Sequence, residues 1–291
     1  MSDAPRTALE LARQAGGVLC ERGFEQGRLE AEQLLASVLG VRRLDLYLQH
    51  DRPISPAELD RFRENVRRRL RREPVQYILG EAQFRGLLLS VDRRVLIPRP
   101  ETEQLAGAVL DYAKARAGLA ALDVGTGSGA IALSLAAEAP AAFDTIVATD
   151  VSAAALEVAR ANAGRLGLAA RVEFRAGPSY LPVREGERFD VIVSNPPYVA
   201  EAEALPPEVR DWEPAGALFG GPGGTAVLDV LADGALPRLR PGGLLALEVS
   251  PPQAERMTVR LAAIGFAGCR VRRDLAGRDR IVLATREEGP G

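Results

Sequence analysis

The chain has 291 residues, of which 47% are hydrophobic and 26% charged, and a formal net charge of -2. That balance builds hydrophobic cores and excludes the disordered and collagen-like classes, while the length suits one large or two ordinary domains. A net charge so close to zero argues against whole-molecule attraction to nucleic acid and leaves only local patches for such contacts.

No run of about 18 apolar residues occurs, and Met1-Ser2-Asp3-Ala4-Pro5-Arg6 holds no apolar signal core. Neither a membrane span nor export is expected, which places the chain in the cytoplasm. Cys20 and Cys269 are far apart with no CxxC, and His50 is the only histidine. These are too few donors for a zinc site of the usual kind, so no metal is expected, and one histidine without a nucleophile motif makes no triad. His50, beside Asp51-Arg52-Pro53, reads as a solvated loop residue.

Residues 1–72 read as a small all-helical domain. Thr7-Ala8-Leu9-Glu10 matches a capping box, and Leu11, Ala15, Val18 and Leu19 follow at helical spacing. Leu34, Leu35, Val38 and Leu39 repeat that stripe before Gly40, a residue suited to the left-handed conformation just past a helix end. Ser55-Pro56-Ala57-Glu58 is a second capping box, and Leu59, Phe62, Val66 and Leu70 continue one face. Arg61, Arg63, Arg67, Arg68, Arg69, Arg71 and Arg72 crowd the exposed side of this last helix. They read either as a patch for an acidic partner or as a solvated face.

Residues 73–100 form a connector with a β-hairpin, in which a glycine separates the short apolar runs of Phe84-Arg85-Gly86-Leu87-Leu88-Leu89. Val95-Leu96-Ile97-Pro98-Arg99-Pro100-Glu101-Thr102-Glu103 then enters a helix, with acids where the helix dipole favours them. It serves either as a cap or as a segment closing over a ligand.

Residues 101–291 form the second domain, in which apolar strands alternate with helices from Leu119 onward, the signature of a parallel sheet. The strand Leu119-Ala120-Ala121-Leu122-Asp123-Val124 runs into Gly125-Thr126-Gly127-Ser128-Gly129 and a helix, a turn that lets backbone approach a ligand closely. Gly125-x-Gly127-x-x-Ala130 also satisfies the dinucleotide fingerprint, and Asp150 stands where that pattern puts its ribose-binding acid, so NAD stays open. Asp123 favours S-adenosylmethionine, because a carboxylate near the cofactor accepts from an ammonium that NAD lacks; the plain alternative is that it bonds the turn amides. Asn195-Pro196-Pro197-Tyr198 follows the buried-looking strand Phe189-Asp190-Val191-Ile192-Val193-Ser194. In open α/β sheets ligands lie beyond such strand ends. Gly220-Gly221-Pro222-Gly223-Gly224 reads as a flexible loop, either covering the site or lying plainly on the surface, and residues 286–291 as a frayed tail.

Taken together, Glu73-Pro74-Val75-Gln76-Tyr77-Ile78-Leu79-Gly80, the segment 95–103, the glycine turn with Ala130-Ile131-Ala132-Leu133, Ser194-Asn195-Pro196-Pro197-Tyr198 and Glu213-Pro214-x-x-Ala217-Leu218 resemble the protein-(glutamine-N5) methyltransferases that modify class 1 peptide chain release factors. The resemblance implies a Rossmann-like class I methyltransferase domain preceded by a helical domain that helps recognise the release factor. It implies methyl transfer from S-adenosylmethionine, leaving S-adenosylhomocysteine, to the glutamine of a Gly-Gly-Gln motif, with no direct nucleic-acid substrate. By position, Asp123, Gly125, Thr126, Gly127, Ser128, Gly129, Asp150 and Asn195 would bind the cofactor, and Asn195, Pro196, Pro197 and Tyr198 the glutamine amide. One region departs: where relatives carry an acid and then a bulky residue bordering the adenine, this chain has Ala176-Gly177-Pro178, and Pro178 is the substitute.

An amide nitrogen is a weak nucleophile, because its lone pair is delocalised into the carbonyl. The tetrapeptide answers this if the Asn195 side-chain oxygen and the Pro196 carbonyl each accept one N–H, with Tyr198 laying a flat face on the planar amide. Asn195, Pro196 and Tyr198 are therefore the expected catalytic set. The same tetrapeptide occurs in adenine-N6 and guanine-N2 methyltransferases, so a nucleic-acid exocyclic-amine methyltransferase is the alternative; such an enzyme would more often carry a basic channel. A non-catalytic ribosome-associated binding protein is the third reading, disfavoured by the intact Asn195 and weakly favoured by Gly177-Pro178.

Overall fold

The computed structural model describes residues 7–288, so readings placed on residues 1–6 and 289–291 lie outside the described residues. The chain divides into two compact units. One runs to Gly80 and takes in Pro206–Trp212; the other comprises Glu81–Leu205 and the chain from Glu213 onward. Among the described residues no helix is long and apolar enough to cross a membrane.

The first unit contains α1 (Ala8–Glu21), α2 (Gly27–Leu39), α3 (Asp45–Leu48), α4 (Pro56–Leu70), α5 (Val75–Leu79) and a short helical turn at Pro207–Arg210. At the start of α1, Glu10 N donates to Thr7 Oγ1 at 3.4 Å and Thr7 N to the Glu10 carboxylate at 3.0 Å. Ser55 and Glu58 make the same exchange before α4, at 3.3 and 2.9 Å. Each box satisfies amides that the helix itself leaves unpaired. Gly40 ends α2 with a left-handed φ of 65°.

The apolar faces meet in a core that includes Leu11, Leu34, Leu35, Leu46 and Phe62. Val75 and Ile78 join it, so residues 75–79, read as connector, are a helix with one face in this core. Val18 and Leu70 are 43% and 36% exposed, because α1 buries Ala8, Leu11, Ala12 and Leu19 and α4 buries Phe62 and Arg69 instead.

Arg69 corrects the picture of a uniformly exposed arginine face. It is buried, its guanidinium pairing with Glu30 at 2.7 Å and lying 4.0 Å from the centre of the Phe24 ring. Its neighbours are matched as well: Arg68 with Glu73 at 2.6 Å, Arg72 with Glu208 at 2.9 Å, Arg67 with Glu64 at 3.2 Å and Arg63 with Asp60 at 3.5 Å. A block that is basic along the chain is therefore largely compensated in space.

The second unit opens with the antiparallel hairpin β1 (Glu81–Phe84) and β2 (Leu87–Ser90). There follow α6 (Pro100–Ala113), β3 (Leu119–Val124), α7 (Ala130–Glu138), β4 (Phe143–Asp150), α8 (Ala153–Arg165), β5 (Glu173–Ala176) and β6 (Phe189–Ser194). The remainder holds α9 (Ala226–Ala235), β7 (Leu239–Glu248), α10 (Pro251–Ile264), β8 (Phe266–Arg273) and β9 (Asp279–Arg286). Seven strands form one sheet in the order β5-β4-β3-β6-β7-β9-β8, parallel except for β9, which runs antiparallel to β7 and β8. The alternation of strands and helices predicts the parallel sheet, and the architecture is the Rossmann-like α/β fold that the family resemblance implies.

Alternate strand residues enter opposite cores: Ala121, Val191, Val193 and Leu244 one, Leu122, Ile192, Leu245 and Val282 the other. Central strands covered on both faces carry mostly apolar side chains, which is why β3 and β6 read as near-continuous apolar runs. Arg286, read as the start of a frayed tail, is the last residue of β9, and its guanidinium donates to Leu239 O at 2.6 Å.

Asn162 of α8 is fully buried and binds three backbone groups. Its Oδ1 accepts from Ser90 N at 2.7 Å, and its Nδ2 donates to Ser90 O and Ser128 O, both at 3.0 Å. The hairpin and the turn after β3 are thereby tied to one side chain. Asn162→Ala leaves these groups without partners and is expected to lower the free energy of unfolding by ~3 kcal/mol in urea denaturation. A loss below ~0.5 kcal/mol would show that the tie contributes nothing.

Candidate active site

A cavity of about 480 Å³ lies beyond the carboxyl ends of β3, β4 and β6, where the strand order reverses. Its wall includes Thr102, the turn residues Gly125, Thr126, Gly127 and Ser128, then Asp150, Pro178, Asn195, Pro196 and Pro197. Most of the predicted site residues are thus brought together. Asp123, Gly129 and Tyr198 are not on the wall.

The turn after β3 is bent by Gly125, Gly127 and Gly129, whose φ values of 75°, 57° and 86° suit glycine. Gly125 N and Thr126 N both donate to Thr149 O, at 2.8 and 2.9 Å, and Gly127 N donates to the Asp150 carboxylate at 2.9 Å. No atom lies within 4 Å of where a Cβ would stand on Gly125 or Gly127. The turn is therefore a backbone-lined cradle with room for a ligand. Asp150 also accepts from Ser152 N at 2.8 Å, while Ser152 itself caps α8 through Ala155 N. Burial raises the Asp150 pKa, opposed by the Ser152 and Gly127 amides, and each of its carboxylate oxygens keeps a lone pair for a hydroxyl.

Asp123, expected to serve either as an ammonium acceptor or as a partner of the turn, lies off the cavity wall. It is fully buried below the turn, where Oδ2 accepts from Thr126 Oγ1 at 2.6 Å and Ala132 N at 3.2 Å. Its Oδ1 has no partner. With no cation beside it, burial pushes its pKa up to about 7, a rise that those two hydrogen bonds only partly oppose. The residue holds the turn against the start of α7.

Beyond β6, Ser194 Oγ donates to Val124 O at 2.6 Å and fixes the strand end. Asn195 Nδ2 donates to Thr102 Oγ1 at 2.9 Å, which keeps Oδ1 as the acceptor of this amide. Thr102 Oγ1 in turn donates to Glu248 Oε2 at 2.7 Å, and Tyr198 OH donates to Glu248 Oε1 at 3.1 Å. Tyr198, expected to lay its ring on the target amide, bonds Glu248, packs on the sheet core and is not on the cavity wall.

The prolines of the segment 97–103 are pinned by Glu213, which accepts from Ile97 N at 3.2 Å and pairs with Arg99. Residues 220–224 do not cover the cavity: a Cβ on Gly224 would stand 2.2 Å from Tyr198 O, and one on Gly220 2.5 Å from Pro197 O. Gln253 Nε2 locks this arrangement by donating to Tyr198 O at 3.0 Å and Gly224 O at 3.1 Å. The loop is a buttress under the tetrapeptide. Sequence reasoning gave no role to Glu248 or Gln253, and held Thr102 and Glu213 only as members of their motifs. For Glu248 the signal was available, as a carboxylate closing an otherwise apolar strand is rarely buried without a task.

Among the described residues no group of three or more His, Cys, Asp and Glu is placed to hold a metal ion. The lining that is present, a glycine turn with open space at Gly125 and Gly127, one carboxylate with lone pairs for hydroxyls and the apolar Val151 and Pro178, fits a nucleoside-bearing group.

Comparison with known proteins follows the same division. Residues 10–80 match the family model of the PrmC N-terminal domain and residues 106–208 that of the methyltransferase small domain. The chain is 43% identical to the release factor glutamine methyltransferase of Geobacter sulfurreducens, over 91% of this chain and 92% of that protein. It is 42% identical to the enzyme of the same name from Chlorobaculum tepidum, over 94% and 95%. The crystal structure of the hMettl16 catalytic domain in complex with MAT2A 3'UTR hairpin 6 shares the fold, with a TM-score of 0.56 at 16% identity over 70% of this chain and 77% of that one.

An unfolded aspartate titrates near ~4, whereas Asp123 in the folded unit titrates at about 7. The folded state binds the extra proton, so stability falls as pH rises through that window. Asp123→Asn is expected to flatten this fall, leaving the shares that Asp150 and Glu248 contribute, in urea denaturation at pH ~5 and ~8. An identical pH dependence in variant and parent would contradict the assignment.

Proposed function

This chain belongs to the release factor glutamine methyltransferase family, and from that premise we propose that it methylates the side-chain amide nitrogen of the glutamine in the Gly-Gly-Gln motif of class 1 peptide chain release factors. The observation that carries the reading is the Asn195 amide on the cavity wall, tied through Nδ2 to Thr102 so that Oδ1 accepts. A planar NH2 group is what such an acceptor receives.

The glycine cradle and Asp150 would hold S-adenosylmethionine, the carboxylate taking ribose hydroxyls and the turn giving close backbone approach. When bound, that cofactor supplies a methyl group activated by a sulfonium. Asn195 Oδ1 and Pro196 O each accept one N–H of the target amide, which turns the nitrogen lone pair toward the cradle. Pro196 and Pro197 keep the acceptors from shifting. Positioning of this kind supplies roughly 7 to 11 kcal/mol of barrier reduction in favourable cases. Both acceptors also gain strength as the nitrogen becomes positive. The methylated nitrogen is far more acidic than the amide and gives up its proton to water, so no strong base is needed.

We place the partner among proteins because the arginines of α4 are matched by Glu30, Glu64, Glu73 and Glu208 and leave little free positive charge for a nucleic acid. A release factor substrate puts the enzyme in the cytoplasm with the translation machinery.

Purified protein with labelled S-adenosylmethionine is expected to label the Gly-Gly-Gln glutamine of a release factor and not tRNA, rRNA or DNA. Asn195→Ala should lower kcat by about 100-fold or more while cofactor affinity falls far less. Label confined to nucleic acid would refute the substrate, and unchanged turnover in Asn195→Ala would remove this side chain from the mechanism.

A further inference from the structure

The chain Asn195–Thr102–Glu248 joins three elements: the end of β6, the first turn of α6 and the last residue of β7. Thr102 is 4% exposed and Glu248 fully buried, so neither exchanges these partners for water. A buried threonine and glutamate so placed need a reason, because desolvating a carboxylate without a cation in contact is costly.

The direction of the hydrogen bonds supplies one. A threonine hydroxyl has a single proton, and a carboxylate only accepts. Glu248 takes the Tyr198 proton on Oε1 and the Thr102 proton on Oε2. The Thr102 oxygen then has only acceptance left to offer, so the Asn195 amide must present Nδ2 to it. Its other atom, Oδ1, is the one left for the substrate. Were the bonds reversed, with a protonated Glu248 donating to Thr102 and Thr102 donating to Oδ1, the amide would turn over. Its NH2 would then face the cavity, and a target NH2 would meet a donor instead of an acceptor.

We propose that Thr102 and Glu248 are positioning residues that fix which way round the Asn195 amide sits, making the site select a carboxamide NH2 over a carboxylate. The proposal rests on the glutamine reading of the site. It explains why an acid is buried beside the acceptor: an anion at the end of the chain sets every bond in one direction. Burial pushes Glu248 up to about 7, with the Thr102 and Tyr198 bonds and the Arg280 charge lowering it and the Glu101 charge raising it. The ionised form holds the chain in register, so the orientation is firm above neutral pH and loosens as Glu248 takes up a proton.

The test compares Thr102→Val, which keeps the shape and removes the hydroxyl, with Thr102→Ser, which keeps the hydroxyl. Methyl transfer to release factor is measured for both, together with the side-chain amide signal of Asn195 in protein labelled with 15N-asparagine. In Thr102→Val, kcat should fall about 30-fold with cofactor affinity within about twofold of the parent, and Thr102→Ser should stay within about threefold of it. The Asn195 amide protons should be slow to exchange in the parent, shift with a midpoint at about pH 7 as Glu248 ionises, persist in Thr102→Ser and lose protection in Thr102→Val. Parental turnover in Thr102→Val, or an unchanged Asn195 signal in it, overturns the proposal. A parent enzyme that labels no release factor refutes the glutamine reading alone, and the Asn195 signal still decides the hydrogen-bond chain.

Discussion

Parallel pairing of β3 with β4 and with β6 sets Val124 opposite Thr149 and Asp123 opposite Val193, which brings three strand ends to one level. Each strand stops on a residue that bends or anchors the chain: the glycine turn after β3, Asp150 at the end of β4, and Ser194 with its bond to Val124 O at the end of β6. The strands are covered on both faces, so their side chains are committed to packing and only the ends are free for chemistry. A register slip of one residue in β6 would carry Asn195 off this edge and put apolar side chains on the wrong face.

The electrostatics of the edge are unusual in one respect. Asp123 and Glu248 are fully buried there and Asp150 half-buried, and desolvation raises the pKa of each. The compensation comes from amides and hydroxyls more than from ion pairs: Ala132, Gly127, Ser152, Thr126, Thr102 and Tyr198 supply the donors. Hydrogen-bonded carboxylates fix geometry without placing a cation beside the cavity.

What the sequence made legible was local. Both capping boxes, the glycine turn and the strand leading into Asn195 depend on residues within a few positions of each other, and the structure places them as read. What it left hidden was a matter of partners far along the chain. Arg69 read as exposed, toward a partner or toward solvent, because Glu30 and Phe24 lie some forty residues away, and residues 220–224 read as either a cover or a plain surface loop because Gln253 is not adjacent to them. Asp123 illustrates the same limit at close range. Its position before the glycine turn suited either a ligand contact or bonds to the turn, and only the fold shows it held by Thr126 and Ala132. Glu248 and Thr102 are separated by 146 positions, and only the sheet order puts them together.

The account turns on the orientation of one amide, and a structure of the enzyme with S-adenosylhomocysteine and a Gly-Gly-Gln peptide measures it most directly. The glutamine nitrogen is expected at about 2.9 Å from both Asn195 Oδ1 and Pro196 O, with the bonds from Asn195 to Thr102 and from Thr102 to Glu248 intact. A glutamine that turns its carbonyl oxygen to Asn195, or binds away from the end of β6, would contradict it.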